Sequence, residues 1–247
     1  MFQPHGISPQ LHWTCQRLLA AGLPCQVPEE SPLWLPADWE GYLAENCWLD
    51  LATDNSQALA GRAEHCRQHG IQLVEVCGSW LPQGESMGFM LLCGSNALPA
   101  PAAMQWLDHC APLPGAWLHC GPCGSARYTH HVMQALQHAW QLGWQHNPTT
   151  AKPQQLDWEA LMQQQWQLAD KLLQLSQAYL RSHGMAPDPT DSATLRQRFA
   201  QPPSRQQHFA ANLALLIVLA MQQRDTLHDI WQQVSAALQP KQTSNVD

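Results

Sequence analysis

The spacing of apolar positions changes once along this chain. Up to about residue 117, short apolar runs such as "CWLDLA", "IQLVEVCG" and "GFMLLCG" are bounded by Gly, Asn and Ser and alternate with helical stretches such as "SQALAGRAEHCRQHG". Runs this short, fenced by turn residues, predict strands, and their alternation with helices predicts a mostly parallel α/β sheet. From about residue 126 the apolar period becomes helical, in segments rich in Gln, Leu, Trp and Ala, with breaks at "HNPTTAKP", "HGMAPDPTDS" and "QPPSR". That half reads as helices only. Stretches such as "QQQWQ" keep apolar residues at helical spacing, so they read as solvated helix faces rather than low-complexity tracts. The division predicted is an α/β domain over 1–120, a helical domain over 121–238 and a disordered tail over 239–247.

The longest apolar run, "AANLALLIVLAM", has about twelve residues against the roughly twenty that a membrane span needs, and reads as a buried helix. With 45% hydrophobic and 13% charged residues the chain is expected to be globular. A net charge of −7 with only 12 Lys plus Arg argues against a phosphate-backbone partner, because nucleic-acid affinity comes from clustered bases. Nine cysteines, an odd number spread over the first half with no leader segment visible before them, fit reduced thiols in a cytoplasmic protein.

Three motifs stand out. "TDNS" (53–56) is followed by a helix and the strand "IQLVEV"; this runs into "CGSWLPQGESMG" (77–88); and "HCGPCGSARYTHHVMQALQ" opens with a Gly-rich turn and continues as a helix. In order and spacing these pieces resemble the 6-phosphogluconate dehydrogenases, particularly the shorter bacterial form, within the β-hydroxyacid dehydrogenase superfamily. The resemblance implies a reduced Rossmann-like parallel sheet followed by an all-α, dimer-forming domain. It also implies that Asn55 and Ser79 are substrate-binding positions.

The departures from that family carry the functional reading. The helix after the Gly-rich turn there carries a Lys, a His-Asn pair and a Glu on one face; the Lys takes the proton of the substrate's 3-hydroxyl and the Glu protonates the carbon left by decarboxylation. The matching positions here are His130, Met133, Gln134 and Gln137. A histidine with an ordinary pKa near 6.5 can stand in as a base. An amide cannot donate and recover a proton at neutral pH, so Gln137 leaves the enol without its acid.

The dinucleotide fingerprint G-x-G-x-x-G falls on Gly6, Ser8 and Leu11, so only its first glycine remains. After "QVP", Glu29 and Glu30 stand where a 2′-phosphate reader would be basic, and about twenty residues of the family's nucleotide domain are missing between Val27 and Leu49. Cys120 and Cys123 beside His119 form a single CxxC, which is weak evidence for zinc, and no metal is expected.

Two function classes follow. One is a dehydrogenase-like protein that binds no cofactor and serves as a binding, regulatory or assembly protein, with a protein partner or a small anionic ligand. The other is an NAD- or NADP-dependent oxidoreductase acting on a hydroxyacid or phosphosugar with His130 as base. A homodimer through residues 156–238 is expected in either case.

Overall fold

The computed structural model describes residues 1–26, 32–145, 158–186, 197 and 208–222; side chains are described outside 139–145 and 158–162. Six strands form one sheet in chain order: β1 (Gln3–His5), β2 (Gly41–Ala44), β3 (Cys47–Asp50), β4 (Gln72–Gly78), β5 (Leu91–Gly94) and β6 (Trp117–Gly121). The described helices are α1 (Pro9–Ala20), α2 (Ser56–Gln68), α3 (Gly84–Met87), α4 (Pro101–Cys110), α5 (Ser125–Gln145), α6 (Trp158–Ser182) and α7 (Phe209–Gln222).

The sheet is mixed, which corrects the expectation of a mostly parallel one. β3 and β4 pair in parallel, as do β5 and β6, whereas β1–β2, β2–β3 and β4–β5 are antiparallel. The apolar runs named above become β3, β4 and β5, whereas β1, β2 and β6 are not expected from them. β2 joins β3 through a two-residue turn in which Ala44 faces Cys47 and Glu45 takes a positive φ of 52°, the backbone that tight hairpins demand. The "PCQV" segment contributes only a single parallel bridge, Phe2 to Cys25. Val27, Glu29 and Glu30 lie outside the described residues.

Every residue of β3 and β5 is buried, as expected of strands covered on both faces. Alternate side chains feed two sides. Val74 and Val76 join Leu49, Leu91 and Cys93 in a core under α1 and α4, around Trp106 and Tyr42. On the other side Trp48 and Leu73 meet Leu59 and Cys66 of α2, while Cys77, Leu92 and Cys120 share a core with α5, α6 and α7. Of the described helices after Gly121, α5 and α7 pack onto the sheet and α6 packs on α5 and α7. Of the apolar run in α7, Ala210, Ala211, Ala214 and Val218 are buried, and Leu213, Leu215, Leu216 and Ile217 are half-buried. The tail and the last part of the expected helical domain lie outside the described residues.

Candidate functional site

The Gly-rich turn between β6 and α5 works through its backbone. Gly121 and Gly124 have φ of 136° and 93°, a region that favours glycine. The turn brings the start of α5 over β4, where the carboxylate of Glu75 accepts N–H bonds from Gly124 (2.8 Å), Arg127 (3.0 Å) and Ala126 (3.3 Å). A β-strand carboxylate thus satisfies the orphan donors of a helix N-terminus and complements its dipole. The approach needs Gly94, where a Cβ would lie 2.6 Å from Glu75 Oε2.

Around this cap lies a buried ionic network. Arg127 Nε is 3.2 Å from Glu75, its Nη2 donates to Asp50 at 3.1 Å and its Nη1 to Asp54 at 2.7 Å. Its remaining bonds go to the carbonyls of Ala52, Asp54 and Asn55. Arg62, from α2, pairs with Asp50 through Nε at 3.0 Å and with Asp54 at 2.6 Å. Asp50 and Glu75 are fully buried and the two guanidinium groups nearly so. Burial raises the carboxyls of Asp50 and Glu75, the latter to about 7, against the pull of the neighbouring arginines. Asp54, more open to water, is held down at about 2, first by its hydrogen bond from Arg62. Three carboxyls facing two guanidinium groups leave one formal negative charge in excess when all are ionised.

The sequence reading passed over this network. Its signal was two lone acids inside apolar runs, Asp50 in "CWLDLA" and Glu75 in "IQLVEV", since a charge at a strand position buried on both faces requires a partner.

The positions singled out on α5 divide differently. Ser125, Ala126, Thr129 and Val132 are buried against the sheet. Gly124, Arg127, Tyr128 and His131 line a cavity toward α2 and α6. His130, Met133, Gln134 and Gln137 form a third face, about 120° from the cavity face at 3.6 residues per turn. His130 is half-buried, and Met133, Gln134 and Gln137 are exposed. Burial, with the His131 ring as a second cause, lowers the pKa of His130. Asn55 caps α2, its Oδ1 accepting from Ala58 N–H at 2.9 Å, and lines the cavity. Ser79 is exposed just beyond β4, its N–H donating to Met90, and is not part of the cavity.

The remnant of the fingerprint is closed by protein. Gly6 follows β1 with φ of 104°, and a Cβ there would meet Glu40 Cγ, Leu11 Cδ1 and the Trp39 carbonyl within 3.0–3.2 Å. The chain entering β2 therefore runs beside Gly6 at the carboxyl end of β1, held by a 2.9 Å hydrogen bond between His5 Nε2 and the Pro36 carbonyl. Leu11 is a core residue, and Ser8 precedes α1 without a side-chain capping bond. A pyrophosphate at this place would need the space Leu11 takes and would meet the Glu40 carboxylate, so these residues do not fit a dinucleotide.

Cys120 is fully buried in the core shared with α5. Burial pushes both Cys120 and Cys123 up to about 12, so neither is a ready thiolate. His119 faces Ser95 Oγ at 3.4 Å rather than the cysteines. Among the described residues no cluster of three or more His, Cys, Asp or Glu is arranged to hold a metal ion, and no helix is long and apolar enough to cross a membrane.

Compared with known proteins, the chain matches no family model and no curated sequence.

Proposed function

We propose that the protein is a relative of the 6-phosphogluconate dehydrogenases that has given up oxidative decarboxylation and acts by binding, regulation or assembly. The observation that carries this reading is the end of β1, where Leu11, the Trp39 carbonyl and Glu40 take the place of a phosphate-binding turn. The amide at Gln137 supports it separately, because a decarboxylase must return a proton to carbon and no acid stands on that face of α5. Losing one positioned acid or base costs about 10² to 10⁴-fold, and loss of the cofactor site adds an independent penalty. The half-buried leucines of α7 support assembly as a homodimer through residues 156–238.

One feature favours an oxidoreductase with His130 as base: its half-buried ring has its pKa lowered by burial, which favours the neutral imidazole that a base needs. An assay decides between the readings. Purified protein given 6-phosphogluconate with NADP or NAD is expected to show no reduction. Turnover within tenfold of the common enzyme median of about 10 s⁻¹ overturns the proposal.

A further inference from the structure

The side of α5 facing away from the His130 stripe borders a cleft of about 1020 Å³ between α2, α5 and α6, at the upper end of the roughly 300–1,000 Å³ of small-molecule sites. Small side chains make the space. Ala60 and Ala63 on α2 face Ala178 on α6, and a Cβ added at Gly124 would meet only His183, at 3.7 Å. Leu73 and Leu175 complete an apolar wall.

The charges that reach the wall are already matched. Asp54 is held by Arg62 and Arg127 at 2.6 and 2.7 Å, and Glu64 by Arg67 at 2.6 Å. Nη1 and Nη2 of Arg127 donate to protein acceptors and its Nε lies 3.2 Å from Glu75, while His183 Nδ1 lies against the Ser182 hydroxyl and the Tyr179 carbonyl and its Nε2 against the Cys123 carbonyl. A charged ligand in the body of the cleft would lose part of its hydration, and the nearest counter-ions, Arg67 and Asp54, are already paired, which is a cost.

Open hydrogen-bonding capacity lies at several places on the wall, and two neighbouring groups, Asp54 and Asn55, share the start of α2. Asn55 Oδ1 accepts from Ala58 N–H and Asn96 Oδ1 from Cys123 N–H, which directs each amide group's NH₂ elsewhere as a donor. His131, exposed, has a ring contact with His130 and no hydrogen bond among the described residues. Asp54 Oδ2 takes one bond, from Arg62, and keeps acceptor capacity.

We propose that this cleft binds a small uncharged molecule with an apolar body lying along Ala63, Leu73 and Ala178 and a polar group held at the start of α2, where it donates to Asp54 and accepts from Asn55. The site uses neither Gly6 nor Gln137 and shares only Asn55 with the dehydrogenase reading, so it can fail or hold without it.

Fluorescence titration tests it with N-phenyl-1-naphthylamine as a neutral probe and 8-anilino-1-naphthalenesulfonate as its anionic counterpart. The neutral probe is expected to saturate at one per chain, and the sulfonate to bind at least about tenfold more weakly because its charge would be buried unpaired. Ala178→Trp, which fills the cleft from an exposed helix position, is expected to weaken the neutral probe by about tenfold or more with circular dichroism and melting temperature unchanged; Ala60→Trp, on the opposite wall, serves the same purpose if that variant does not fold. Absence of saturable binding, binding unmoved by either tryptophan, or a sulfonate that binds as tightly as the neutral probe overturns the proposal.

Discussion

Glu75 meets donors on every side. Its two oxygens face three backbone N–H groups and the Arg127 guanidinium, so each finds donors once the carboxyl is ionised, against the burial that favours the protonated form. Glu75→Gln keeps the shape but turns an NH₂ against one of those donors whichever way the amide is placed, and is expected to cost about 1–3 kcal/mol in urea unfolding at pH 7. Arg127→Met leaves Asp50 and Glu75 short of their counter-ion, and a loss of about 3–5 kcal/mol is expected by the same measurement. A change below 1 kcal/mol in either variant would contradict the network as described. Little of this was legible in the sequence. The turn glycines and the helix through His130 were found from their pattern, but an acid's partner 52 residues along the chain, as Arg127 is for Glu75, leaves no local periodicity.

At the scale of elements, spacing located the strands that lie fully inside and missed the hairpin. β3, β4 and β5 are continuous apolar runs, whereas "GYLAENC" is brief and its turn, Glu45–Asn46, lacks the glycine that usually marks such a reversal. Glu45 holds a left-handed backbone at a cost that Asn bears more easily. Glu45→Asn is accordingly expected to stabilise the protein by roughly 0.5–1 kcal/mol, read as a higher melting temperature. An unchanged or lower value would show that the turn is not strained. Arg17 joins elements that the sequence could not connect: from α1 it donates to the carbonyls of His109 (2.7 Å) and Ala111 (2.8 Å), at the end of α4, and of Ser86 (3.1 Å) in α3. These bonds hold α3 and α4 to α1 on the face away from the cleft.

For the whole molecule, two carboxyls set opposite responses to pH. The stability contributed by Asp54 is complete above its ordinary 3.8 and is lost as pH falls toward about 2. Glu75 runs the other way: between its ordinary 4.5 and about 7 the folded protein holds a proton that the unfolded chain has released, so stability falls as pH rises through that window. Asp50 is shifted in the same direction by burial. The urea midpoint is therefore expected to decline from pH 4.5 to 7, and Glu75→Gln to flatten the decline. A midpoint that climbs over this range would reverse the assignment.

The proposed loss of nucleotide binding at the end of β1 is checked by calorimetric titration of the purified protein with NADPH and NADH. Trp39, Glu40 and Leu11 close in on Gly6 at the end of β1, so no saturable heat is expected up to millimolar nucleotide. Restoring the α5 face with His130→Lys and Gln137→Glu is expected to leave that result unchanged, because neither residue lies at β1. A dissociation constant in the micromolar range for either nucleotide would contradict the account.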